Sequence, residues 1–343
     1  STPSNSSAAS DVYKRQDVAI GIGYWGNVPQ IIRDPLKYGV TPVPWFNADG
    51  WVANYKKEFE SLKLMFTTSE WVKSVYKRDG VDVSKIIPMH IGIDTDFFSP
   101  LSNENYKKAI RGMFGMQNGE KMILTIGGDV TSKGAQEMFK ALAKVNEEVK
   151  NWKYVCKSWP SDCSAEWRVK EQQLVDELGI EDKVVFIDDE FAPEFMVYLL
   201  NACDVYAAPS RIEGFGMIQV EAMACGKPVI SINKMGPAET IIHNKTGFLA
   251  KVSKEIKLEG EWVYPHYGFQ QKEFIRFEEP KTFAYRADVD DLTEHTTKLL
   301  TDEKLCEKMG GRLEVYIDYV KLENYRQYRN VTIDLGYGES GKN

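Results

Sequence analysis

Histidine and cysteine are scarce in this chain, and neither is arranged for metal binding or cross-linking. The four histidines, His90, His243, His266 and His295, stand far apart with no HxH or HxxxH spacing. That argues against a histidine-based metal site. The five cysteines, Cys156, Cys163, Cys203, Cys225 and Cys306, form no CxxC pair and are odd in number. They read as reduced thiols of a cytoplasmic protein. No apolar run approaches the ~18–20 residues of a membrane span, which leaves at most a peripheral membrane contact. A basic stripe is missing too. The net charge is -7, and no run of Lys and Arg marks a nucleic-acid face.

What is present is an ordinary globular composition, 43% apolar and 27% charged over 343 residues, enough for two ordinary domains. Residues 1–16, STPSNSSAASDVYKRQ, carry no structural period and read as a scar-like disordered segment. The sequence reading therefore expects the first domain to lack its natural start. Beyond them, strand and helix signals alternate in two blocks, which implies parallel, doubly wound sheets. In the first block, DVAIGIG (17–23), VTPVPWF (40–46), LKLMFTTS (62–69) and KIIPMHIGID (85–94) read as strands, and 69–80 as a helix. Pro100 and the polar stretch 102–105 mark a linker. The second block is more regular, with strand signals at 121–128, 153–159, 182–188, 204–210 and 227–233 and helices between them. The expected organisation is a partial N-terminal domain over 17–101 and a C-terminal domain over 102–312. An aromatic and charged insertion at 251–286 interrupts the second, and a helix over 313–343 returns to the first.

The chemistry concentrates in PSRIEGFGMIQVEAMACGKPVI (209–230). A strand ends at Pro209, and a turn holding Gly214 and Gly216 opens a helix. In a doubly wound sheet, ligands sit at the carboxyl ends of the strands. A helix N-terminus offers free N–H groups and partial positive charge to an anion, so Gly214, Phe215, Gly216 and Met217 frame a pyrophosphate site. Glu221 lies about 7 Å along that helix, with its side chain leaning back toward the start. It is placed to bind both hydroxyls of a ribose. Glu213 precedes the helix and is placed for hydroxyls of a sugar on the distal phosphate.

The Glu-x7-Glu spacing of Glu213 and Glu221 inside EGFGMIQVEAMACGKPVI resembles the signature of the family-4 retaining glycosyltransferases of the GT-B fold. IPMHIGIDTDFFSP (87–100), ILTIGGDVTSKGAQEMFKAL (123–142) and MGPAETIIHNKTGFLA (235–250) resemble further stretches of that family. The resemblance implies two Rossmann-like domains facing across a cleft, the first incomplete here. It implies sugar transfer from a nucleotide diphosphate sugar to a hydroxyl of a glycan, lipid or small-molecule acceptor, with retention. It places Glu213 on the donor sugar, Glu221 on the ribose and Lys133 on the pyrophosphate, beside Gly127 and Gly128. Where the family has an arginine, this chain has Gly128 followed by Asp129, and Arg211 is the candidate replacement. Where the family often has a first-domain histidine, PVPWFNADG offers Asn47 and Asp49 on the acceptor side. No cofactor and no metal are expected, since the helix N-terminus and Lys133 can stabilise a leaving diphosphate.

Three other readings compete. GIGYWG (21–26) is a literal GxGxxG and suggests nicotinamide dinucleotide binding. Its bulky Tyr24 and Trp25, and the Pro29 and Pro35 that follow, oppose that motif. A nucleotide-sugar epimerase of the same fold and a nucleotide-sugar-binding fragment without turnover also fit the second block.

Overall fold

The computed structural model describes residues 17–265 and 271–310, so the scar-like segment and the expected 313–343 helix lie outside the described residues. The chain falls into two units. The first takes 17–90 and 259–279, and the second 91–258 and 280–310.

The first unit holds a parallel sheet ordered β1-β2-β3-β4, with β1 Val18–Tyr24, β2 Thr41–Asn47, β3 Met65–Thr67 and β4 Ile86–Pro88. Helical turns over Pro29–Arg33 run into α1, Asp34–Lys37. The helices α2, Lys56–Ser61, and α3, Glu70–Arg78, follow. The Ser69 side chain caps α3 by accepting from Val72 N–H, an interaction worth about 1 kcal/mol. One face of the sheet packs on Trp25, Ile32, Tyr55, Phe59 and Tyr76, all buried. Pro42 and Pro44 sit inside β2 for a geometric reason. Thr41 N–H bonds to Asp17 on the β1 side, and strand donors alternate, so both proline nitrogens face away from β1. Pairing with β3 begins only at Trp45, so the missing donors cost little.

GIGYWG lies within β1 and the turn just after it. A Cβ on Gly21 would come 2.5 Å from Ile31, and one on Gly23 2.6 Å from Asn27. These glycines let a helical turn approach the strand. They do not form the strand-to-helix loop that a dinucleotide needs.

The second unit holds six parallel strands ordered β10-β9-β8-β5-β6-β7. The strands are β5 Lys121–Ile126, β6 Trp152–Lys157, β7 Val184–Ile187, β8 Val205–Ala207, β9 Val229–Ile232 and β10 Gly247–Ala250. Its helices are α4 Glu104–Met113, α5 Ala135–Glu148, α6 Asp162–Glu177, α7 Pro193–Ala202, α8 Met217–Ala224, α9 Pro237–Thr240, α10 Val289–Thr301 and α11 Glu303–Gly310. Apart from the edge strand β7, nearly every strand residue is buried, as a sheet covered on both faces requires. The chain winds outward from β5 in one direction and from β8 in the other. The topological switch point, where such sheets bind ligands, therefore falls between β5 and β8. The α/β class and parallel sheets expected from the sequence are those observed.

Two expected boundaries differ. Residues 91–101 belong to the second unit. Asn201 holds them there, accepting from Leu101 N–H at 2.9 Å and donating to the Ser99 carbonyl at 3.0 Å. The 251–286 insertion is a two-stranded ribbon, β11 Val252–Val263 and β12 Glu273–Ala287, whose 259–279 portion is part of the first unit. Much of β11 is solvent-exposed, so it carries no clean apolar alternation to read. Among the described residues no helix is long and apolar enough to cross a membrane.

Candidate functional site

The loops after β5, β8 and β9 interlock at the switch point. A Cβ on Gly134 would lie 2.2 Å from the Pro209 carbonyl oxygen. Gly134 also has φ +84°, a left-handed value that favours glycine. Arg211 N–H donates to the Ser132 carbonyl at 2.8 Å. Gly236 N–H donates to the Glu213 carbonyl at 3.2 Å, and a Cβ there would strike Gly214 at 2.5 Å. Gly216, at φ +96°, is the N-cap of α8. The 209–216 loop is thus held from both sides, with Gly214, Phe215 and Gly216 buried and Met217 half-buried at the first position of α8.

Within this frame the Lys133 ammonium reaches the Glu213 carboxylate at 2.6 Å. Gly127 makes that possible, because a Cβ there would lie 2.5 Å from Lys133 Cγ. Ser210 Oγ donates to the same carboxylate oxygen at 3.5 Å. The pair retains 23% and 15% side-chain exposure, so it stays accessible to a ligand. The Glu221 side chain, one turn into α8, makes no hydrogen bond or ion pair among the described residues, and burial pushes its carboxyl up to about 7. A half-buried carboxylate without a donor is poised for a ligand's hydroxyl groups. Gly128 is exposed, with open space where a side chain would project.

Arg211 does not join this cluster. Its guanidinium makes a two-pronged pair with Glu137 on α5, at 3.0 and 2.9 Å, and also donates to Gln136 at 3.1 Å. Glu137 is itself buried and without Arg211 would lose its nearest counter-charge. The arginine thus braces the loop against the helix, and its contacts here are with Glu137 and Gln136, away from Lys133 and Glu213.

In the first unit, Asn47 ends β2 and its side-chain oxygen accepts from Thr68 Oγ at 3.1 Å. Asp49 is exposed on the next loop. The sequence reading missed Glu261 of the ribbon, which accepts from Trp51 N–H at 2.6 Å. Burial pushes its carboxyl up to about 7 against the opposing pull of that hydrogen bond. With β11 largely exposed, no sequence pattern marks it. Among the described residues no three His, Cys, Asp or Glu side chains cluster as a metal site.

Residues 107–260 match the family described as Glycosyl transferases group 1. The D-inositol 3-phosphate glycosyltransferase of Mycolicibacterium smegmatis is 30% identical over 172 residues, covering 50% of this chain and 38% of that protein. The enzyme of the same name from Mycobacterium tuberculosis is 28% identical over 204 residues, covering 60% of this chain and 40% of that protein. The chain thus spans about two fifths of the length of these relatives. Among solved structures, HepE of Anabaena in complex with UDP-glucose superposes with a TM-score of 0.69 at 15% identity, covering 94% of this chain and 80% of that one. Sucrose-phosphate synthase from Thermosynechococcus elongatus does so with a TM-score of 0.65 at 19% identity, covering 94% and 76%. At those identities the likeness is one of fold. By its 107–260 segment, this chain is similar to the glycosyl transferases group 1 family.

Proposed function

We propose that this chain moves a sugar from a nucleoside diphosphate sugar to an acceptor hydroxyl, with retention at the anomeric carbon. The observation that carries the reading is the Lys133–Glu213 pair, 2.6 Å across, at the switch point beside the unpartnered Glu221. The ion pair is a resting arrangement. On donor binding, Lys133 turns to the distal phosphate, where negative charge develops as the bond to the sugar breaks. Glu213 turns to the sugar hydroxyls. The N-terminus of α8 takes the pyrophosphate, and Glu221 the ribose hydroxyls. Gly127, Gly128, Gly214, Phe215, Gly216 and Met217 line the donor's path, and no metal is needed in this scheme. Asn47 and Asp49 are assigned to the acceptor side.

Relatives support the donor class. HepE is seen with UDP-glucose, and the mycobacterial enzymes are named for an inositol phosphate, a polyol whose hydroxyls are of the acceptor class proposed here. A cytoplasmic setting belongs to the same proposal and rests on the cysteines. Cys156, Cys203, Cys225 and Cys306 are all free.

Glu213 separates a transferase from a plain nucleotide binder. Glu213→Gln keeps the shape and removes the charge. Binding of the free diphosphate is expected to change little, while binding or turnover of the nucleotide sugar falls by ~10- to 1000-fold. A paired titration of both ligands against both proteins reads this out. Equal losses for the two ligands would show that Glu213 shapes the phosphate loop instead of holding a sugar.

A further inference from the structure

A chain of side-chain hydrogen bonds links the loops at the carboxyl ends of β8, β5, β6 and β7. At its centre is the Thr131 hydroxyl, in the loop after β5. It donates to Glu171 of α6 at 2.7 Å and accepts from the side-chain amide of Gln136, on α5, at 3.1 Å. The amide oxygen of Gln136 accepts in turn from Arg211, in the loop after β8, at 3.1 Å. On the other side, Arg168 of α6 donates to Glu171 at 3.4 Å, to Ser158 after β6 at 3.0 Å and to Asp188 after β7 at 2.8 Å. Thr131 is 2% exposed and Glu171 1%. Burial raises the Glu171 carboxyl, against the pull of the Thr131 hydrogen bond and the Arg168 charge. A buried carboxylate with one long ion pair is a costly way to join two elements, and apolar packing of the same volume serves stability as well or better. What the polar chain adds is a fixed position, because each hydrogen bond has a preferred direction.

That position bears on the ion pair at the switch point. Thr131 stands two residues before Lys133, in a tight turn. Lys133 N–H donates to the Val130 carbonyl at 3.1 Å, Gly134 N–H to the Thr131 carbonyl at 3.0 Å, and Ser132 N–H to the Asp129 carboxylate at 2.6 Å. Arg211 stands two residues before Glu213. One hydroxyl therefore lies on the tie between the two loops that carry Lys133 and Glu213. We infer that Thr131, held by Glu171 and Gln136, is a positioning residue that sets the Lys133 ammonium for the distal phosphate of the donor. The inference rests on the donor-binding reading above. Thr131 is too buried to meet a ligand itself, so it acts through Lys133. A binding group misplaced by about 1 Å can lose ~100-fold, so removing the hydroxyl is expected to weaken the phosphate contact while the fold survives.

The test is calorimetric titration of UDP, GDP and ADP, and of the matching monophosphates, against the full chain and its variants Thr131→Val, Thr131→Ser, Lys133→Met and the Thr131→Val, Lys133→Met double. Thr131→Val keeps the volume and removes the hydroxyl. It is expected to weaken the best-bound diphosphate ~5- to 30-fold, and the monophosphate, which has no distal phosphate, by less than ~3-fold. Thr131→Ser, which keeps the hydroxyl, should stay within ~3-fold of the unmodified protein for both. In the double variant the loss should be no greater than in Lys133→Met alone, because residues that act through one contact are not additive. Equal losses for diphosphate and monophosphate in Thr131→Val overturn the inference. So do losses that add in the double variant, and so does an unchanged diphosphate affinity in Thr131→Val. Gln136→Met, at a half-buried position, breaks the other bond to the same hydroxyl. It is expected to give a smaller loss with the same preference for the diphosphate, and it supplies the answer if Thr131→Val does not fold. Absence of any diphosphate binding by the unmodified protein removes the donor reading and this inference with it, whereas normal binding with an unaffected Thr131→Val removes only the positioning role.

Discussion

Glu221 and Glu261 are both buried enough for their carboxyls to rise to about 7, and there the likeness ends. Glu261 accepts from Trp51 N–H. Around it the first unit is tied down. Asp79 accepts from Val52 N–H at 2.9 Å and pairs with Arg78, which also donates to the Gly50 carbonyl at 2.8 Å. Glu221 has no such donor. The second unit's loops also hold a lysine and a glutamate paired with each other, to which Ser210 Oγ adds one long hydrogen bond. A buried charge bonded to its own backbone stabilises a loop. A buried charge left without a donor costs stability until something binds. The contrast supports the donor site proposed in the second unit's loops and gives Glu261 and Asp79 a scaffold role in the first.

Asp79→Ala attacks the scaffold half of this contrast and carries the largest expected effect on stability. The carboxylate has no side-chain exposure. Its removal leaves Val52 N–H and Arg78 without their acceptor, at a cost of about 2–4 kcal/mol. Urea unfolding followed by tryptophan fluorescence should show a destabilised transition while UDP affinity is unaltered. A fall in UDP affinity of the same size would erase the distinction between scaffold and site.

Glu221→Ala attacks the other half. Nucleoside diphosphate affinity is expected to fall ~10- to 150-fold, the loss of charge-assisted hydrogen bonds, with no loss of melting temperature. Linkage sharpens this. A carboxyl raised in the folded state contributes stability below its unfolded pKa of about 4.5, and that contribution is lost as pH rises through about 7. Both glutamates follow this sign. Ribose hydroxyls favour the ionised Glu221 alone, so UDP affinity should rise between pH 6 and pH 8 in the unmodified protein and stay flat in Glu221→Ala. Glu261→Gln should leave that slope intact. A flat profile in the unmodified protein would show that Glu221 does not meet the ligand.

The smallest effect is a gain. Gly128→Arg puts a guanidinium where nothing lies within 4 Å of the new Cβ. A tightening of UDP by ~3- to 10-fold, measured by calorimetry at fixed ionic strength, is the expected size for one exposed charge-assisted contact. No change would mean that Lys133 and the α8 N-terminus already fill the phosphate's needs.

Much of this frame could be read in the chain. Buried parallel strands are apolar runs bounded by turn residues, so β5 through β9 and the helices between them stand out. The 209–216 loop stands out because few residues other than glycine adopt the backbone of 216. Pairings across the chain were not legible. Nothing in the string joins Lys133 to Glu213, 80 positions later, or commits Arg211 to Glu137. Those depend on which loops the strand order brings side by side. The β11–β12 ribbon escaped because exposure removes the apolar alternation.

The close approach of Gly134 to Pro209 has one more consequence. A backbone carbonyl fills the space a methyl group would need, so the two loops can shift only together. Lys133 and Glu213 are mounted on that joint. Opening the ion pair therefore calls for side-chain rotation and not for the slower loop rearrangement that limits many enzymes.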